Sequence, residues 1–125
     1  MYKKIVIVLL ALAALSTLAA CQVIDASKLV TGTPVHMGNA AFKLPEISIK
    51  KGDKLDLIDD VAVNHVIANG YWNGSNAVTK KEAGAPTVNV SITGGSAAVG
   101  PFTQAGSYML LCTVHGGMQI KVNVS

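Results

Sequence analysis

From Val35 to the C-terminus, short runs of alternating apolar and polar residues are cut repeatedly by Gly, Pro, Asn and Asp. A period of two puts every second side chain on one face of an extended strand, and the interrupting residues supply turns. Glu46 to Lys50, Lys54 to Ile58 and Thr87 to Ile92 alternate cleanly, with breaks at Lys51-Gly52-Asp53, Asp59-Asp60 and Gly94-Gly95. Further strands are expected over His36 to Leu44, stopped by Pro45, and over Val61 to Ala68, ended by Asn69-Gly70. Ser96 to Val99, Ser107 to Cys112 and Gln119 to Val124 complete the set. Tyr71 to Pro86 lacks alternation and reads as a loop with at most one irregular helical turn. Seven to eight strands in about 90 residues predict an all-β fold, a Greek-key β-sandwich whose core is filled by alternate positions.

The first residues follow a different rule. Met1-Tyr2-Lys3-Lys4 is a short basic start, Ile5 to Leu15 is apolar, and Ser16-Thr17 leads into Leu18-Ala19-Ala20-Cys21. The apolar run is too short to span a bilayer and ends in small residues, as a secretory signal does. Leu-Ala-Ala-Cys resembles the bacterial lipobox, which implies cleavage before Cys21 and a lipid on its sulfur. The expected organisation is a signal peptide over 1–20, a lipidated N-terminus and linker over 21–34, and one domain over 35–125. The mature protein would then sit on a membrane surface outside the cytoplasm, periplasmic or extracellular, held by acyl chains. Cleavage removes Lys3 and Lys4, leaving eight lysines against seven acids and no arginine. A near-neutral domain without a basic stripe or interleaved aromatics is not a nucleic-acid binder.

Lipidation of Cys21 would leave Cys112 as the single thiol of the mature chain. Exported proteins tend to pair their cysteines, so a lone thiol persists when it is buried and inert or held by a metal. Here it stands in the run Cys112-Thr113-Val114-His115-Gly116-Gly117-Met118. A thiolate, an imidazole and a thioether on one short loop suit copper, and a trigonal His2Cys set with a weak Met is the donor field of blue-copper electron-transfer sites. That field requires a second imidazole, for which His65 is the candidate. His36 reads as a surface or edge histidine, Met37 and Met109 as core, and Lys80-Lys81 as a solvated face. Tyr71 and Trp72 read as core or loop-packing aromatics, one of which could lie near the metal end.

The segment Gly100-Pro101-Phe102-Thr103-Gln104-Ala105-Gly106-Ser107-Tyr108-Met109-Leu110-Leu111-Cys112-Thr113-Val114-His115-Gly116-Gly117-Met118 resembles the C-terminal signature of the cupredoxins, the plastocyanin and amicyanin type of small blue-copper protein. The short Cys-x-x-His-x-x-Met spacing is similar to that of amicyanin. The likeness extends more loosely over residues 35 to 125 and includes a Lys-Gly-Asp turn before the strand that precedes the first His. It implies His65, Cys112 and His115 as equatorial ligands of one copper ion cycling between Cu+ and Cu2+, with Met118 axial. In many cupredoxins an Asn follows the first ligand His and braces the ligand loop. Here that position is Val66, and Asn64 precedes the His.

Four protein donors leave no open coordination position for a substrate. The expected function is therefore type 1 copper electron transfer without enzymatic activity, in a monomer that meets redox protein partners near His115. The rival reading is a copper-trafficking or copper-buffering lipoprotein, which uses the same atoms to hand over the ion.

Overall fold

The computed structural model describes residues 32–125. The signal segment, the lipidation site Cys21 and nearly all of the linker expected from the sequence lie outside the described residues. Nine strands form two facing sheets of a β-sandwich, and no helix occurs among the described residues. They are β1 (Thr33–Met37), β2 (Glu46–Ile49), β3 (Leu55–Asp59), β4 (His65–Asn73), β5 (Asn76–Thr79), β6 (Asn89–Ile92), β7 (Gly95–Val99), β8 (Gly106–Cys112) and β9 (Gln119–Val124). The smaller sheet runs β1-β3-β7, and the larger runs β2-β9-β8-β4-β5, with β6 also paired to β4.

The alternation places the core. Ile120, Val122 and Val124 of β9, Tyr108, Leu110 and Cys112 of β8, and Leu55 and Leu57 of β3 are buried. Between the sheets they meet Met37, Ile67, Phe102 and Met118, each essentially without solvent contact. Burying each large aliphatic or aromatic chain contributes on the order of 1.5–3 kcal/mol. That packing clamps β4 and β8, the two strands that carry Ile67 opposite Cys112.

Three expectations are corrected. The first strand ends at Met37, not Leu44: Gly38 N–H bonds the Ala41 carbonyl, and the chain turns so that Phe42 bridges back to Met37. Val61 to Asn64 is a connection, not strand, and β4 begins at His65. Asn69-Gly70 does not stop that strand, because β4 continues to Asn73 and pairs with β5 in a hairpin where a loop was expected. The count is accordingly nine strands and not seven to eight. The extra pairing explains Leu111, which points to the opposite face from Leu110 and Cys112 yet is fully buried. Gly70 lies directly against it, so the hairpin covers that outer face. Asn69 holds the following loop down: its side chain donates to the Pro86 carbonyl (3.0 Å) and accepts from Val88 N–H (2.7 Å).

Candidate metal centre

His65 opens β4, where its backbone is gripped by β6, and Ile67 two residues on pairs with Cys112. Its ring is completely buried, as is Cys112 at the end of β8. The chain then reverses. Cys112 N–H donates to the Met118 carbonyl (2.9 Å), and Met118 N–H donates to the His115 carbonyl (3.2 Å). These bonds close a short loop at its base, and Gly117 takes a φ of +77°, where a residue with a Cβ would be strained. The closure brings His115 back over the sulfur.

The result is a three-donor cluster. One donor atom each from His65, Cys112 and His115 lies within 4.8 Å of the others. His115 Nδ1 is 3.3 Å from Cys112 Sγ, and His65 Nδ1 is 3.8 Å from it. The two imidazole rings are 4.9 Å apart and tilted by 54°. A trigonal ion with bonds of about 2.0–2.3 Å separates its donors by about 3.5–4 Å; the His65–Cys112 spacing falls in that range and the His115–Cys112 spacing just below it. The chemistry agrees with the spacing: one soft thiol and two imidazoles suit copper. Met118, whose carbonyl accepts the Cys112 N–H, is buried at the loop's base.

The brace expected from an Asn after the first His is replaced by other contacts. The carbonyl of Val66 accepts from Thr113 N–H (2.9 Å) and from Thr113 Oγ1 (3.4 Å), tying the residue after His65 to the residue after Cys112. Asn64 instead contacts Thr93 Oγ1 (3.3 Å). Trp72 supplies a contact the sequence did not disclose. Its indole N–H donates to the Cys112 carbonyl (3.1 Å), while its backbone N–H donates to Gln119 Oε1 (2.7 Å). Only the hairpin fold-over brings residue 72 there, so no local pattern marks it. Tyr71, by contrast, is exposed.

His36 is an exposed histidine paired with Asp60 (2.8 Å), away from the cluster. Lys80 and Lys81 are exposed, Met37 is core and Met109 is half-buried. Asp59, which reads in the sequence as part of a turn break, is buried. Its carboxylate accepts from Gly94 N–H (2.6 Å) and Val61 N–H (3.1 Å), with Oδ1 3.8 Å from His65 Nε2.

Burial holds the His65 pKa below the ordinary 6.5, the nearby Asp59 carboxylate opposes this, and His115 adds to it. The Gly94 N–H bond holds Asp59 below the ordinary 3.8, against the opposing effect of burial. A base with a depressed folded value is protonated first in the unfolded chain, so stability falls as pH drops below 6.5. Asp59 contributes stability above 3.8 that is lost as pH falls through its lowered folded value. The urea midpoint of the metal-free protein should therefore decline from roughly pH 7 to 5 and again in stronger acid. His65→Asn should flatten the first decline. A midpoint constant over that first interval would contradict the assignment.

Comparison with known proteins agrees with this geometry. Among curated proteins no sequence relative matches. The solved structures it resembles include amicyanin from Paracoccus versutus (Thiobacillus versutus), at 24% identity and a TM-score of 0.58, covering 78% of this chain and 84% of that one. An oxidized amicyanin with a proline-to-alanine substitution matches at 25% identity and a TM-score of 0.57, covering 76% and 83%. The reduced Cu(I) form at pH 4 of another amicyanin mutant matches at 24% and 0.56, covering 75% and 82%. The profile of the copper binding proteins, plastocyanin/azurin family, matches residues 30–125. Three converging donors in a β-sandwich of this kind, and a family match over most of its length, make the chain a member of the copper-binding plastocyanin/azurin family, a cupredoxin.

Proposed function

We propose that the protein is a one-electron carrier in which His65, Cys112 and His115 would hold one copper ion and the Met118 thioether would supply a weak fourth donor. The observation that carries this reading is the convergence of a buried thiol and two imidazoles on the ends of two strands locked in one sheet. Copper held there would supply a single reversible electron at constant coordination. The chain's own residues keep that coordination constant. β4 and β8 fix His65 and Cys112, the Thr113–Val66 and Trp72–Cys112 hydrogen bonds brace the loop, and buried Leu110 and Met118 exclude water. With four protein donors no position is left for a substrate, which favours a carrier over an enzyme.

His115 is the proposed exit. Its ring is only half-buried, and exposed Val114, Gly116 and Gly117 flank it in the loop, with no charged residue between Cys112 and Gln119. A small uncharged rim suits brief docking with redox proteins, since transient encounters use limited area. Placing a charge there by Val114→Glu should slow electron self-exchange at low ionic strength by about 10-fold, read from NMR line broadening in mixtures of oxidized and reduced protein. A larger effect from Lys81→Glu would move the docking face elsewhere.

The same reading takes residues 1–20 as a signal peptide, Cys21 as the lipidated residue and the mature domain as a monomer on the outer side of a membrane. Mass spectrometry of the processed N-terminus tests the anchor. Reversible voltammetry with retained copper supports the carrier. Ready surrender of Cu(I) to an acceptor protein would favour trafficking instead.

A further inference from the structure

The distal nitrogen of His65 faces away from Cys112 into the interior, and it has no hydrogen-bond partner among the described residues although it is fully buried. A buried N–H left without an acceptor is costly, on the order of 1–3 kcal/mol, so what surrounds it matters. Two acceptors lie on that side: the Gly38 backbone carbonyl and the Asp59 carboxylate, whose Oδ1 is 3.8 Å away. The carboxylate is not free to leave. Gly94 N–H and Val61 N–H each hold one of its oxygens, and its side chain has no solvent exposure. A fixed negative charge therefore lies directly behind one imidazole of the cluster, shielded from water and screened little by salt.

The geometry points to Asp59 as a positioning residue for the copper centre, one that fixes His65 as the Nε2-protonated tautomer and favours the higher oxidation state of the metal. This rests on the proposed ligand role of His65. Metal bound at Nδ1 leaves the ring proton on Nε2, and a carboxylate behind that N–H orients the ring and makes it a stronger donor. The same negative charge stabilises Cu(II) more than Cu(I) by simple Coulomb attraction. No proton or electron is exchanged with Asp59; it acts only through the ring. The sequence concealed this role because Asp59-Asp60 has the composition of a turn, and only Asp60 behaves as one, exposed and paired with His36.

Asp59→Asn keeps the size and an oxygen acceptor while removing the charge. In the copper-loaded protein the ratio of Cu(II) to Cu(I) affinity should fall about 10-fold, the lower end of what loss of such a partner costs, equivalent to a reduction potential higher by about 59 mV for one electron. An unchanged potential with copper still bound would overturn the inference and leave the Gly38 carbonyl as the partner. Failure of the wild-type protein to bind copper at all would instead sink the metal-centre reading. Should Asp59→Asn not fold, the wild-type metal-free protein still decides. Long-range 1H–15N correlation at mildly alkaline pH should show the His65 proton on Nε2, and a proton on Nδ1 would refute the role.

Discussion

Cys112→Ser should abolish the intense visible thiolate-to-copper absorption of the oxidized protein and weaken copper binding at least ~100-fold. The lower bound follows because loss of an outer-shell partner alone costs about 10–100-fold, and here a primary donor is removed. The hydroxyl that replaces the sulfur is a hard, weakly acidic group that does not ionise at neutral pH, so the soft anionic donor that suits copper disappears. The fold should survive. Cys112 is fully buried, but serine is smaller, and the backbone bonds of Cys112 to Met118 and to the Trp72 indole do not involve the side chain. Thermal unfolding of the metal-free variant separates the two effects. A colourless variant that unfolds near the wild-type temperature assigns the sulfur to the metal. Retention of the full absorption would place the metal elsewhere. Met118→Leu provides the contrast, since a weak axial donor can be lost with the colour kept and only the potential and band shape altered.

Gly70→Ala should destabilise the domain by about 3 kcal/mol or more, the largest effect expected from so small a change. Gly70 has a φ of +138°, open to glycine alone, and an added Cβ would run into the Val78 carbonyl oxygen and approach Leu111 Cδ2 to 2.6 Å. Backbone strain of this kind costs on the order of 1–3 kcal/mol, and overpacking adds about 1–3 more. Neither obstacle yields cheaply. Val78 belongs to the paired hairpin and Leu111 is enclosed beneath it. For a domain of this size 1 kcal/mol corresponds to roughly 4–8 °C, so Tm should fall by more than about 12 °C. Gly74→Ala is the control: its φ is +60° and nothing lies within 4 Å of an added Cβ. Equal losses for the two variants would show that the fold-over of the hairpin contributes nothing. A selective loss at Gly70 would confirm that the outer face of β8 is covered there. The same hairpin carries Trp72 to the Cys112 carbonyl, so loosening it should also broaden the absorption of the loaded protein.

Strands whose two faces differ were legible from residue order. β2, β3, β6, β8 and β9 fall where alternation predicts, because one side of each packs on the core, even though β3 and the end of β8 are buried on both faces. β4 was legible only in its first half. Beyond Asn69 the strand leaves β8, takes β5 as its partner and crosses the outside of the sheet, so the amphipathic rule no longer describes it. The residues Tyr71 to Thr79 therefore looked like loop. The connection before His65 misled in the opposite sense: Val61 to Asn64 is apolar enough for a strand, yet Ala62 takes a φ of +55°, which ends regular extension.

The donors divide along the same line. Cys112, His115 and Met118 are near neighbours in the chain, and their spacing with two glycines foretells a tight loop whatever the rest of the molecule does. Convergence of His65 on that loop depends on β4 lying beside β8 in one register, a pairing across 45 residues between Ile67 and Cys112. Asp59 behind His65, Trp72 on the Cys112 carbonyl and Asn69 on Pro86 and Val88 are likewise contacts between distant segments. Side-chain type and the local period are fixed by the order of residues, since φ/ψ preferences and donor chemistry act within a few bonds. Which charge stands behind a buried imidazole, and which indole caps a carbonyl, is decided only when two sheets close on each other, because those contacts exist at a single register and nowhere along the chain.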